Sequence, residues 1–127
     1  MFKKITCVLA SVLLFILQAG ATNVVILARA SFLNRSGNLA TTTIYTPPTN
    51  QNVRVDIYIS EINAVTGVTP FISWTDETQF RFTNYAGQQN WFSVSLPIRA
   101  VAGTPISISV ATDPTQRYDV WVTVEML

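Results

Sequence analysis

Histidine is missing from this 127-residue chain, cysteine occurs once (Cys7), and the only lysines are Lys3 and Lys4. Beyond Cys7 there is therefore no imidazole to act as a base near neutral pH and no thiol nucleophile. There is also no amine for a Schiff base, and the many serines lack the base a serine nucleophile needs. Disulfides cannot staple the fold. Charged residues make up 12% of the chain, and no basic stripe of the kind a phosphate backbone demands is present, which argues against a nucleic-acid partner. Glycine-rich phosphate loops, metal-ligand clusters and any sustained helical period are lacking too. The expectation is a protein with no catalytic residues, no metal and no cofactor.

What is present begins with an export signal. Met1-Phe2-Lys3-Lys4 forms a basic head, Ile5 to Leu17 an apolar run, and Gln18-Ala19-Gly20-Ala21 a small-x-small end, the three parts of a secretory signal peptide. The expectation is a signal peptide over residues 1–21, cleaved after Ala21, and a single domain over 22–127 that is secreted, periplasmic or held at the cell surface. An alternative keeps Ile5 to Ala28 as a membrane anchor, and a second small-x-small site at Ala28-Arg29-Ala30 permits later cleavage. Cys7 sits too early for lipid attachment and reads as apolar filler. Removal of residues 1–21 takes both lysines and leaves six arginines against seven acids.

Period two dominates the remainder. Val53, Val55, Ile57 and Ile59 alternate with Arg54, Asp56, Tyr58 and Ser60. Phe92, Val94, Leu96 and Ile98 alternate with Trp91, Ser93, Ser95, Pro97 and Arg99. Ile106, Ile108 and Val110 share a phase, as do Tyr118, Val120, Val122, Val124 and Met126, the latter opposed by Asp119, Trp121, Thr123 and Glu125. Such alternation in Val- and Ile-rich segments specifies half-buried antiparallel strands. Weaker strands follow at Leu39–Thr46, Gly67–Asp76 (Ile72 and Trp74 in the core phase) and Gln79–Asn84 (Phe80 and Phe82 on one side, Arg81 and Thr83 on the other). An opening strand fits within Val24–Leu33. Turn-forming clusters between them, such as Arg35-Ser36-Gly37-Asn38 and Asp113-Pro114, recur at sandwich spacing. The fold class expected is all-β: a two-sheet antiparallel β-sandwich or jelly roll of seven to eight strands. Pro97 cannot donate to a ladder, so its strand lies at an edge there or carries a bulge.

Three large aromatics, Tyr58, Trp91 and Trp121, fall in the outward phases and are the candidate binding residues. Outward Trp and Tyr either anchor a protein interface or stack on sugar rings; packing under loops is the bland alternative. Among carboxylates, only Asp76-Glu77 and Asp119 with Glu125 offer pairs, and adjacent acids on a strand point apart, which counts against a glycosidase. Asp113-Pro114-Thr115 and Asp76-Glu77-Thr78 are too sparse in oxygen ligands for calcium. Asn34-Arg35-Ser36 is a glycosylation triplet only in a eukaryotic source.

The succession Ile44-Tyr45-Thr46-Pro47-Pro48, Arg54-Val55-x-Ile57-Tyr58, Ile72-Ser73-Trp74-Thr75-Asp76, Ile98-Arg99-Ala100, Gly103-Thr104-Pro105-Ile106-Ser107, Tyr118-Asp119-Val120 and Glu125-Met126-Leu127 resembles a loose group of uncharacterised bacterial and phage-associated β-sandwich, jelly-roll-like proteins. Some of these look like virion or appendage parts. The resemblance covers Thr41 to Leu127 and implies a sandwich and a non-enzyme, with no catalytic residues to carry over. The functional expectation is an exported structural, assembly or adhesive module. Its working parts would be the aromatic face and the edge near Pro97, its partner a protein or a second copy of itself. A carbohydrate-binding module using the same aromatics is the alternative, and a membrane is a partner only if the N-terminal segment stays attached.

Overall fold

The computed structural model describes residues 23–127; the segment expected to be a signal peptide, Cys7 and the expected cleavage after Ala21 lie outside them. Eight strands follow in chain order: β1 Ile26–Ser36, β2 Leu39–Tyr45, β3 Gln51–Glu61, β4 Thr69–Thr75, β5 Phe80–Asn84, β6 Trp91–Ala100, β7 Ile106–Ala111 and β8 Arg117–Met126. They form two antiparallel sheets, a front sheet ordered β1-β8-β3-β6 and a back sheet ordered β2-β7-β4-β5. All connections except the β4–β5 hairpin cross from one sheet to the other, the interleaved double Greek key of a jelly roll. Among the described residues no helix is long and apolar enough to cross a membrane. Ile26 and Ala28, among the last residues of the anchor alternative, pair with Glu125 and Val124 of β8, and Ala28-Arg29-Ala30 lies within β1; residues 5–22 of that segment lie outside the described ones.

The period-two phases become the core. Val53, Val55, Ile57 and Ile59 of β3 meet Val120, Val122 and Val124 of β8 side by side, all essentially without solvent contact. Ile72, Ile106, Ile108 and Val110 face them from the back sheet. Each such side chain contributes about 1.5–3 kcal/mol on burial. Central position explains why β3 and β8 are buried so fully, since each has a strand on both sides.

Two placements differ from the sequence reading. Phe92, Val94 and Leu96 of β6 keep their inward phase but are only half-buried against the core, and Met126 is exposed. The cause is strand length: the front strands run 10 or 11 residues, the back strands 5 to 7. The short back sheet cannot cover the ends of the long front one. Tyr85, just after β5, partly closes the gap by packing its ring 5.1 Å from that of Phe92. Trp74 likewise packs against the core from a half-buried position.

The Pro97 alternative resolves in favour of an edge. The β3–β6 register runs unbroken from Gln51↔Ala100 to Ser60↔Trp91, with Pro97 opposite Arg54. Leu127 donates to Asn52 O from the β8 side, and Glu61 donates to Asn90 O from the β6 side. By alternation Arg54 bonds towards β8, so the Pro97 nitrogen points away from the sheet, where a strand would otherwise add. The other edges are blunted too: β1 and β2 carry register shifts, and β5 is five residues long with Arg81 in an inward position. These are recognised devices against edge pairing.

Two glycines are dictated by close approach. At Gly67 a Cβ would lie 2.7 Å from the Gly87 carbonyl carbon, because the β3–β4 and β5–β6 connections touch there. Gly37 turns β1 into β2 at φ 69°, and its carbonyl accepts a 2.6 Å bond from the buried Tyr118 hydroxyl.

Candidate functional site

The outward phase of the front sheet assembles the three candidate aromatics on one face. Trp121 of β8 sits opposite Tyr58 of β3, which in turn faces Ser93 of β6. The two rings pack at 5.4 Å with a 40° tilt, a favourable geometry for an aromatic pair. Trp91 lies opposite Ser60, one diagonal step from Tyr58. Exposure is 67% for Trp91, 42% for Tyr58 and 39% for Trp121. Tyr58 and Trp121 shield each other, while Trp91 stands at the open end of edge strand β6.

Polar groups frame this aromatic centre. On one side, Arg54 bonds both Asp56 (3.3 Å) and Glu125. The Glu125 hydrogen bond is the main cause of a guanidinium pKa raised above its ordinary value. On the other, Asp119 accepts a 2.6 Å bond from the Asn34 backbone amide, which holds the end of β1 at φ 53°. Between β1 and β8 a shallow depression of about 240 Å³, lined by Arg29, Ser31, Thr123 and Trp121, opens beside the indole.

The carboxylates are occupied with structure. Asp76 Oδ1 accepts from the Thr78 hydroxyl at 2.6 Å and from the amides of Thr78 and Gln79, while Oδ2 pairs with Arg81 at 2.5 Å. The Thr78 hydroxyl, then Arg81, hold its carboxyl well below the usual carboxylate range. Glu77 turns away to pair with Arg99 at 2.9 Å. Asp113 accepts from the hydroxyl and amide of Thr115, and that hydroxyl is the larger cause of its lowered pKa. Asp119 and Glu125 lie six residues apart along one strand, about 20 Å, too far to flank one bond. Glu61 accepts from the Asn90 amide at 2.9 Å and leaves Oε1 without a partner among the described residues; a single carboxylate supplies too few oxygens for a cation. Among the described residues no three His, Cys, Asp or Glu side chains cluster in a way that would hold a metal.

A second aromatic patch was not assigned from sequence. Phe80 and Phe82 of β5 project from the outer face of the back sheet, 63% and 66% exposed. They stand opposite Thr75 and Ser73 of β4; Phe71, Ser107, Ser109 and Thr43 continue that face across β4, β7 and β2. Ser107 is buried there beneath its neighbours and lies 3.4 Å from the Thr43 hydroxyl. None of these outward positions is charged.

No protein-family model matches the sequence, and no curated protein matches it. Among solved structures, chains of similar architecture exist. One is the subunit of the disulfide-linked pili of Bacillus endospore appendages (9% identity, 83% of this chain and 90% of that one, TM-score 0.44). Another is from the acid-stable capsid of Helicobacter pylori bacteriophage KHP30 (13%, 84% and 89%, TM-score 0.45). A third is the C-terminal CBM6 of a marine laminarinase from Zobellia galactanivorans (15%, 81% and 88%, TM-score 0.40). The two-sheet architecture is what they have in common with this chain. At this degree of likeness neither ligand nor partner transfers from them.

Proposed function

We propose that this protein is an exported, non-catalytic interaction module whose working surface is the outer face of the front sheet, centred on Tyr58, Trp91 and Trp121. The observation that carries the reading is the convergence of these three exposed aromatics on one sheet, beside Arg29, Arg54 and Asp56. Trp, Tyr and Arg are the side chains that dominate binding energy at protein interfaces, and lysine is depleted there. The front face, four strands wide and about 10 residues long, has a footprint of about 600 Å². Relief of the side chains brings it near the 800 Å² per partner of a standard interface. A protein surface is therefore the partner it fits best, and the blunted edges favour docking on the face over strand addition.

A second reading has its own observation. The depression beside Trp121 places the hydrogen-bonding groups of Arg29, Ser31 and Thr123 around an indole, the arrangement by which an aromatic platform binds a sugar ring. One pair of measurements separates the readings. Tryptophan fluorescence is titrated with a panel of soluble polysaccharides, and retention of extracellular protein from the source organism is compared between wild type and Trp91→Ala/Trp121→Ala. The protein reading expects no fluorescence response and at least tenfold weaker retention by the variant; the sugar reading expects saturable quenching lost in Trp121→Ala. Identical behaviour of a folded variant in both assays would sink the aromatic face altogether.

A further inference from the structure

We propose that the back sheet is a self-association surface on which a second copy of this chain docks face to face, leaving both front faces free. The two outer faces differ in charge. Docking the uncharged back face onto the front face of another copy would strip water from Arg29 and Asp119 with no opposite charge on the back face to receive them, a penalised exchange. Back face on back face brings no charged outward strand position into the contact. Shape points the same way, since Phe80 and Phe82 stand proud at one side of a floor built from Ser73, Ser107 and Thr43. A two-fold axis sets the phenylalanines of each copy over the small hydroxyl side chains of the other, the self-complementary form of an isologous contact. Two exposed phenylalanines side by side on a short edge strand are otherwise an aggregation liability.

The footprint sets the strength. Four strands of about 6 residues cover about 400 Å² per copy, about 500 Å² with the same side-chain relief as the front face, so about 1,000 Å² in all, below the 1,200–2,000 Å² of a stable complex. An interface of that size belongs to the weak, transient class, tested below over about 10 µM to 1 mM. Its consequence is bivalency: a back-to-back pair carries two front faces pointing in opposite directions, an arrangement that bridges two partners rather than gripping one. The pairing itself does not depend on what the front face binds.

Sedimentation equilibrium on the protein as recovered after expression, from about 10 µM to 1 mM, reads the association directly. Wild type should shift from monomer to dimer across that range. Phe80→Thr/Phe82→Thr, which keeps strand-forming side chains, and Thr43→Glu, which brings a charge into the contact without touching a phenylalanine, should each raise the dissociation constant at least tenfold. Trp91→Ala/Trp121→Ala should pair as wild type does. The proposal is overturned by a wild type that stays monomeric at 1 mM, by pairing that survives both back-face variants, or by pairing lost only in the tryptophan variant. That last result would assign self-association to the front face.

Discussion

Replacing Gln116 by methionine keeps the volume of the largest fully buried polar side chain and removes its hydrogen bonds. Gln116 has no solvent exposure. Its Oε1 accepts from the amides of Val65 (3.0 Å) and Thr66 (2.9 Å), and its Nε2 donates to the Asn63 carbonyl, to Asn63 Oδ1 (3.1 Å) and to the Arg117 carbonyl (3.0 Å). One amide thus ties the β3–β4 connection to the start of β8. Its two protons and one oxygen support about four effective bonds, each with a net contribution of about 1 kcal/mol. Val65 and Thr66 lie on the exposed side of the loop, so water recovers part of the loss. The net destabilisation should be about 3 kcal/mol, a large share of the 5–15 kcal/mol typical of a domain this size. Equilibrium urea unfolding should show the midpoint falling by about 1–3 M at unchanged slope, with faster amide exchange at Val65 and Thr66. A midpoint within about 0.3 M of wild type would refute the clamp.

Tyr118→Phe loses the bond to the Gly37 carbonyl and should cost about 1–2 kcal/mol in the same assay. Burial raises the Tyr118 pKa above its ordinary value of 10.0. Its contribution is therefore complete below pH 10 and fades as pH climbs through the raised value, a decline that a pH series of melting temperatures should show for wild type and not for Tyr118→Phe. Asp76 shifts the other way: its contribution is present above the ordinary carboxylate pKa and is lost as pH falls towards the depressed one, so Asp76→Asn should flatten the acid limb of the stability curve measured by circular dichroism. Gly67→Ala drives a methyl into the Gly87 backbone and should lower the urea midpoint, whereas alanine at the open Gly87 position costs only its positive φ.

Much of the fold was legible because central strands obey a strict rule. β3 and β8 are flanked on both sides and covered by the back sheet, so every second side chain is buried and the pattern in Val53–Ile59 and Tyr118–Val124 is complete. At the edges the rule weakens: the half-burial of Val94 and Leu96 follows from the length of strands in the other sheet, which hydrophobicity does not encode. The outward placement of Tyr58, Trp91 and Trp121 followed directly from strand phase. Strand phase puts Phe80 and Phe82 on one side of β5 without saying which side faces out; the turn before them decides it. Asp76 to Gln79 form a four-residue turn, with the Asp76 amide bonding the Gln79 carbonyl at 3.0 Å. That turn puts Phe80 opposite Thr75, on the face away from Trp74. Gln116 gave no signal, since most of its partners are groups of Asn63, Val65 and Thr66, some fifty residues earlier in the chain.

The front aromatic face is tested most directly by oxidative footprinting of the protein in material taken from its source and again after isolation. The account predicts that Tyr58, Trp91 and Trp121 label strongly in the isolated protein and are protected in the native material. Equal labelling of all three in both states would contradict it.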